Sequence, residues 1–286
     1  GGALVNDPRV DGVVFTGSTE VAQLINRNLA TRPGPIATLI AETGGQNAML
    51  ADSAALPEQL VHDVISSAFD SAGQRCSALR VLFVQEDVAE RVLELLAGAM
   101  AELRVGDPLR LDTDIGPVID EDARAVLVAH AERMQREGRL IARTPLPADC
   151  SHGTYFPPQA FEIRSIDQLS REVFGPVLHV VRFSASQLAQ VCDAINATGY
   201  GLTLGVHSRI QETVDLVRAK TRVGNLYVNR NQIGAVVGAQ PFGGQGLSGT
   251  GPKAGGPHYL QRFAVERVTC TNTTAAGGNA SLLSME

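Results

Sequence analysis

No apolar stretch in this sequence approaches the roughly 18 residues of a membrane-spanning helix, and its first residues lack the basic-then-apolar layout of a secretory signal. Lys and Arg never run longer than two residues and the formal net charge is −6, which disfavours nucleic acid as a partner. The four cysteines, Cys76, Cys150, Cys192 and Cys270, form no C-x-x-C pair, and the six histidines enter no H-E-x-x-H or similar cluster. A metal site and a disulfide framework are therefore not expected, and the cysteine usage fits a reducing, cytoplasmic setting. Internal repeats are also missing. What is present suits a packed protein. Apolar residues make up 44% and charged residues 19% of 286 positions, enough for a core and too balanced for disorder. That length fits one large domain or two small ones.

Hydrophobic periodicity alternates between strand-like and helix-like windows, so the fold class is α/β. Strands are expected at residues 12–16, 38–42, 81–86, 140–143, 179–183, 202–207 and 225–229, and helices at 18–29, 57–72, 87–103, 121–137, 186–198 and 210–222. Glycine and proline break the pattern near 31–35, 145–158 and 238–257. The last break is long and glycine-dense, as a connector would be, or a backbone that approaches a ligand closely. Residues 1–5 read as the tail of a helix.

Chemistry concentrates in two short segments. In Gly73-Gln74-Arg75-Cys76-Ser77-Ala78 the cysteine follows a helix whose apolar stripe carries Leu60, Val61, Val64, Ile65, Ala68, Phe69 and Ala72, with Gly73 as the expected terminator. A cysteine in a tight turn can attack a carbonyl while backbone N–H groups face the reacting oxygen. Upstream, Glu42 ends an apolar strand and enters Thr43-Gly44-Gly45, where a carboxylate can act on water or simply be solvated. Phe15-Thr16-Gly17-Ser18-Thr19 reads as strand, turn and helix start, with Ser18 or Thr19 as cap and the helix N-terminus available to an anion. It is not a G-x-G-x-x-G fingerprint. Cys150, Cys192 and Cys270 stand in no comparable motif.

Together with Glu172-Val173-Phe174-Gly175-Pro176 and Pro241-Phe242-Gly243-Gly244, these segments resemble, in order and spacing, the NAD(P)-dependent aldehyde dehydrogenases. The resemblance runs from late in that family's cofactor domain to the C-terminus. It implies an incomplete Rossmann-type cofactor domain joined to a catalytic α/β domain, with the first half of the family's sequence lying before Gly1. The expected division is residues 1–43 as a remnant of the NAD-binding domain and 44–240 as the catalytic domain; 241–264 form a return segment near the cofactor domain, and 265–286 an oligomerisation-type strand and tail. The resemblance further implies Cys76 as nucleophile and Glu42 as the base that hydrolyses the thioester. Thr16, Gly17, Ser18 and Gly44 would lie along the cofactor, Glu172 on its nicotinamide ribose and Phe174 near the ring. One oxyanion donor would be the Cys76 N–H; the family's second, an Asn side chain, precedes Gly1.

Within the family, Ser77 and the loop Ile233 to Gly244 resemble dehydrogenases of L-glutamate γ-semialdehyde, formed from 1-pyrroline-5-carboxylate. There the Ser and a Gly-Ala pair, here Gly238 and Ala239, hold the substrate carboxylate, Arg75 adds positive charge, and Phe69 and Phe242 would flank the aliphatic part. The tail from Thr271 to Ala280 resembles the end of the dehydrogenase module in bifunctional bacterial proline-utilisation flavoproteins. NAD is the expected cofactor, with NADP open, and FAD would belong only to a preceding proline dehydrogenase domain. A small-molecule substrate, a homo-oligomer and a longer parent chain follow from the same likeness. The rivals are a dehydrogenase of another semialdehyde, a structural or oligomerisation fragment without catalysis of its own, and a cofactor-independent thiol hydrolase, which lacks a catalytic His motif to accompany Cys76.

Overall fold

A computed structural model describes residues 1–272 together with Ser281 and Ser284. The chain opens with α1 (Gly2–Asn6), β1 (Gly12–Thr16), α2 (Thr19–Thr31) and β2 (Thr38–Glu42), and the two strands pair in parallel with Gly12 opposite Thr38 and Thr16 opposite Glu42. Ser18 caps α2 by accepting a hydrogen bond from the Val21 N–H at 3.3 Å, and Ala22, Ile25 and Leu29 give the helix its buried stripe.

The rest builds around a seven-stranded sheet. Its elements follow the chain as β3 (Ala48–Ala51), α3 (Pro57–Phe69), β4 (Val81–Gln85), α4 (Glu86–Glu102), α5 (Glu121–Glu137), β5 (Arg139–Arg143), β6 (Gln159–Glu162) and β7 (Val177–Phe183). Then come α6 (Leu188–Ala197), β8 (Tyr200–Gly201), β9 (Thr203–His207), α7 (Gln211–Lys220), β10 (Asn225–Val228) and β11 (Gln245–Gly246). Spatial order is β10-β9-β3-β4-β7-β6-β5, parallel throughout except for β5, which runs antiparallel to β6. Strands β3, β4 and β9 are buried along their whole length, which is why they read as nearly unbroken apolar runs rather than alternating ones. The α/β class and the strands drawn from long apolar runs agree with the sequence. β3 and β6 were not expected. Ala-Met-Leu-Ala and Gln-Ala-Phe-Glu are four residues each and hold no β-branched side chain, so tertiary pairing rather than propensity makes them strands.

Two features place the site. Residues 247–250 lie along the open edge of β2: Thr250 donates its N–H to Ala41 O at 2.9 Å and Thr43 donates to Ser248 O at 3.0 Å. The glycine-dense segment thus returns to the first sheet. The second feature departs from expectation. Helix α3 stops at Phe69, not at Ala72, and Ser71, Ala72 and Gly73 all adopt left-handed φ, at 56°, 53° and 63°. Ser71 and Ala72 are not glycines, and each bears a left-handed cost of roughly 1–2 kcal/mol. Ala72 meets that cost by burying its methyl in the core. The turn reverses the chain so that Cys76 leaves the core side of α3.

Residues 265–272 are exposed and form no strand, while 273–280 lie outside the described residues. Among the described residues no helix is long and apolar enough to cross a membrane.

The left-handed turn is testable at Gly73. A Cβ there would lie 2.4 Å from Gly175 O and 2.8 Å from Ala68 O, both backbone atoms that cannot move aside cheaply. Gly73→Ala should therefore destabilise the protein by more than the roughly 1–2 kcal/mol of the left-handed conformation alone. Urea unfolding monitored by circular dichroism reads this; a loss within 0.5 kcal/mol, about the size of an ordinary surface substitution, would show that the turn relaxes.

Candidate active site

The carboxyl ends of β1 and β2 face the amino ends of the larger sheet. Thr16 ends β1, and Gly17 and Ser18 lead into α2; Thr43 and Gly44 follow β2; Cys76 precedes β4, Glu172 and Phe174 precede β7, and Tyr200 lies just before β9. All of them line one cavity of ≈ 560 Å³. Every residue assigned to the cofactor from sequence, Thr16, Gly17, Ser18, Gly44, Glu172 and Phe174, thus meets Cys76 around a single space. Open α/β sheets usually bind ligands beyond their carboxyl ends. Here only the small sheet follows that rule.

The sequence reading missed the rest of this wall. Beside the expected Phe174, Ile119 and Val126 expose 83% and 46% of their surface, an apolar face suited to a flat ring. Gln74, Ala123 and Arg171 complete it. None belongs to a motif other than Gln74 and Phe174, so sequence alone carried no signal for them. At the α2 N-terminus the Glu20 carboxylate is held by its own N–H and by Ser18, which keep it below the usual carboxylate range. A phosphate group at this helix end has to displace Glu20.

A fully buried cation, Arg80, fixes the turn that presents Cys76. Its Nη1 donates to Gly73 O at 2.7 Å and Gly175 O at 3.2 Å; its Nη2 donates to Arg75 O at 3.1 Å and to Glu172 Oε1 at 2.9 Å. The guanidinium also lies 5.2 Å from the centre of the Phe174 ring. The other carboxylate oxygen of Glu172 accepts from the Gly45 N–H at 3.1 Å, and a Cβ at Gly44 would fall 1.8 Å from that same oxygen. Asn47 works from the opposite side, donating to Cys76 O at 2.6 Å and Ala78 O at 2.9 Å while accepting from the Thr203 N–H. The signal for Arg80 was a lone charge inside an apolar strand run, Ala78 to Val84.

Cys76 is half-buried, and burial raises its pKa above the usual thiol value, with Glu172 and Glu42 adding to the rise. The resting group is a thiol, not the thiolate that nucleophilic attack requires. Burial likewise raises Cys150, and it lifts Cys192 to about 11; Cys270 is exposed. Glu42 is raised to about 7, by burial first, against the Gly244 N–H and the Lys253 charge. Its Oε2 accepts from Gly244 at 3.2 Å and its buried Oε1 has no partner. A carboxylate poised near neutrality with an open lone pair is suited to accept a proton from water.

The residues expected to hold a substrate are less well gathered. Phe69 has no exposed surface and belongs to the core behind α3, so it does not flank a ligand. Ser77 is buried, and its carbonyl accepts from Thr203 Oγ1 at 3.2 Å. Arg75 is exposed and donates to Ser71 Oγ at 3.0 Å. Gly238 and Ala239 sit in an exposed loop closed on itself, where the Ala239 N–H donates to Val236 O at 3.2 Å and is therefore not open to a carboxylate. Phe242 is half-buried and exchanges backbone bonds with Ala254. None of Ser77, Gly238, Ala239 and Phe242 lines the Cys76 cavity. Among the described residues no cluster of His, Cys, Asp and Glu is placed to hold a metal.

The sequence profile of the aldehyde dehydrogenase family matches residues 1–268. Bifunctional protein PutA of Klebsiella aerogenes is 58% identical over 275 residues, which cover 93% of this chain and 21% of that protein. The 1-pyrroline-5-carboxylate dehydrogenase of Geobacillus sp. (strain WCH70) is 38% identical over 267 residues, 91% of this chain and 51% of the relative. A crystal structure of 1-pyrroline-5-carboxylate dehydrogenase from Thermus with bound NAD superposes with a TM-score of 0.85 at 36% identity, over 91% of this chain and 51% of that one. The chain spans about a fifth of the first relative and about half of the other two.

Arg80→Met would strip donors from three carbonyls and leave Glu172 buried without its cation. Breaking a buried pair in this way costs roughly 3–5 kcal/mol, so urea unfolding should show a loss of that size. Arg80→Lys, with a compact ammonium in place of the fork, should recover only part of it. Full stability in Arg80→Met would show that the turn is held by Asn47 and packing alone.

Proposed function

Because this chain belongs to the aldehyde dehydrogenase family, we propose that it forms the nucleophile-bearing C-terminal part of a dehydrogenase that oxidises L-glutamate γ-semialdehyde to glutamate with NAD. The observation that carries this reading is the convergence of Cys76, the α2 N-terminus, Glu172 and Phe174 on one cavity, with a near-neutral carboxylate on Glu42. The substrate and the choice of NAD are supported by the relatives named for 1-pyrroline-5-carboxylate and by the one that holds NAD. The donor set suits the cofactor: a helix N-terminus for a pyrophosphate, a carboxylate for ribose hydroxyls and an apolar wall for the ring. What NAD supplies there is a hydride acceptor.

The chain's own residues supply the rest. Cys76 gives its thiol proton to solvent water, Sγ bonds to the aldehyde carbon as the C=O π pair moves to oxygen, and the adduct oxyanion faces the Cys76 N–H. After oxidation the acyl group remains on sulfur as a thioester. Glu42 then takes a proton from water, the hydroxide adds to the acyl carbon, and the C–S bond breaks to release carboxylate and thiolate. Ser77 and the Gly238 N–H are the groups proposed to hold the α-carboxylate, which requires the 234–240 loop to open from its closed form. The active unit in this reading is a longer cytoplasmic polypeptide that assembles as a homo-oligomer. Any FAD would reside in a preceding proline dehydrogenase domain rather than in this chain.

In the full-length polypeptide, Glu42→Gln should give a burst of about one NADH per active site followed by slow turnover, because the carboxylate acts only after acylation. Stopped-flow absorbance reads both phases, and loss of the burst along with turnover would remove the role assigned to Glu42. Ser77→Ala should weaken kcat/KM for the semialdehyde by about tenfold, a charge-assisted bond being roughly twice as strong as a neutral one. A simple aldehyde without the carboxylate should be nearly unaffected; equal losses would sink the substrate assignment and leave the dehydrogenase chemistry standing.

A further inference from the structure

The carbonyls around the nucleophile are all tied into the protein. Asn47 Nδ2 holds those of Cys76 and Ala78, at 2.6 and 2.9 Å. Between them, Ser77 O accepts from Thr203 Oγ1 at 3.2 Å and Gln232 Nε2 at 3.4 Å. One residue earlier, Arg75 O accepts from Arg80 Nη2 at 3.1 Å and from the Ala78 N–H at 3.0 Å. A trans peptide is planar, so its C=O and the N–H that follows point to opposite sides. Arg75 O shares one such plane with the Cys76 N–H, and Cys76 O shares the next with the Ser77 N–H. Fixing the two oxygens therefore aims the two N–H groups the other way. Among the described residues no backbone oxygen accepts from either of them.

Asn47 is placed to do this without moving. It stands at the head of β3, the strand between β4 and β9, and is 3% exposed. Its own carbonyl accepts from the Arg80 and Val81 N–H groups at 2.9 and 3.1 Å, which ties its backbone to the start of β4. Its Oδ1 accepts from the Thr203 N–H at 3.2 Å. A Cβ on Gly45 would lie 2.2 Å from that oxygen, so the glycine gives the amide its room. An asparagine that only joined strands would bond to strand ends. Both donated bonds of this one go to the nucleophile's turn instead.

We propose that Asn47 is a positioning residue for the nucleophile: by gripping the carbonyls of Cys76 and Ala78 it aims the Ser77 N–H at the Cys76 sulfur, where, beside the Cys76 N–H oriented by Arg80, it stabilises the thiolate. This rests on the nucleophile role given to Cys76 in the dehydrogenase reading. Adjacent backbone N–H groups facing one anion are fixed donors that need no reorganisation when the charge forms. Burial raises the thiol most and Glu172, from the loop before β7, raises it next. Against them stand the N–H groups of Ser77 and then Cys76, while Glu42, at the end of β2, adds a smaller rise.

The test is the pH dependence of Cys76 alkylation by iodoacetamide in the full-length polypeptide, with peptide mapping to separate Cys76 from the other cysteines. Asn47→Ala frees the peptide between Cys76 and Ser77 to turn. Losing one donor to a charged sulfur should raise the thiol midpoint by about one pH unit, making alkylation about tenfold slower below it. The limiting rate at high pH should be kept. Thr203→Val is the control. It removes a donor from Ser77 O, whose peptide plane holds the Ala78 N–H rather than either group facing the sulfur. It should therefore cost stability and leave the Cys76 midpoint in place. If Asn47→Ala does not fold, Asn47→Ser keeps a single donor and should show a smaller rise. An unmoved midpoint in the Asn47 variant, or an equal rise in Thr203→Val, would overturn the proposal by reducing Asn47 to a support for strand ends. A shifted midpoint in a protein whose wild type oxidises no aldehyde would instead bring down the dehydrogenase reading and leave the aim of the Ser77 N–H standing.

Discussion

One guanidinium holds the site's two halves together. The Cys76 turn and the loop before β7 are separated by about a hundred residues of chain, and neither is regular structure that would fix itself. Arg80 spans them with donors to Gly73 and Arg75 on one side and to Gly175 and Glu172 on the other. A planar fork with five donors can satisfy four acceptors in two directions, and a lysine cannot. Its backbone is used as well: the Arg80 carbonyl accepts from His179 Nδ1 at 2.9 Å, and His179 Nε2 lies 2.8 Å from His130 Nε2. Burial pushes those imidazoles down to about 3 and about 4, so both are neutral at ordinary pH. Since a carbonyl can only accept, the His179 proton sits on Nδ1, and the contact is completed by a proton on His130 Nε2. Helix α5, strand β7 and the base of the Cys turn are thereby joined through neutral groups and one compensated charge.

The same burial that makes this frame rigid tunes the reacting groups. Cys76 and Glu42 each lose hydration, and both are driven toward the protonated form. For Cys76 in the nucleophile role proposed above this is a handicap. For Glu42 in the proposed role of base it is an advantage, because a base with an ordinary carboxylate pKa would be too weak to take a proton from water. The two are coupled: Glu42 raises Cys76 while ionised, so a proton on Glu42 makes the thiolate easier to form.

How far the sequence could be read depended on what each residue's signal was. Motifs with local geometry came through: Ser18 as a cap, glycines following Glu42, and Phe174 ahead of a Gly-Pro stop. Helix ends set by tertiary burial did not. Nothing in Ser71-Ala72 announces left-handed backbone, which survives because Ala72 fills the core and Gly73 has no room for a side chain beside Gly175. Phe69 failed as a substrate residue for a related reason: an aromatic two turns before a nucleophile fits a pocket wall or a core equally well by periodicity, and only burial decides. Arg80 and His179 were visible as polar interruptions in apolar strands, a pattern that demands partners without naming them.

The architecture explains why so many glycines crowd this site. Two sheets meet end to end here, one presenting carboxyl ends and the other amino ends, and the chain passes between them as irregular backbone. At each crossing a side chain would collide with a functional group: at Gly44 and Gly243 with the Glu172 and Glu42 carboxylates, and at Gly45 with the Asn47 amide. Within 243–251, Gly243 and Gly249 pack against the Glu42 carboxylate, while Gly244 and Gly246 lie against the backbone of Gly201 and Gly199. Backbone N–H groups brought this close act as fixed donors that need no reorganisation when charge appears, which is the condition for electrostatic stabilisation of a reacting centre. Gly244 on Glu42 and Gly45 on Glu172 are two instances of one device. It places the carboxylates firmly while leaving the buried Oε1 of Glu42 without a hydrogen-bond partner.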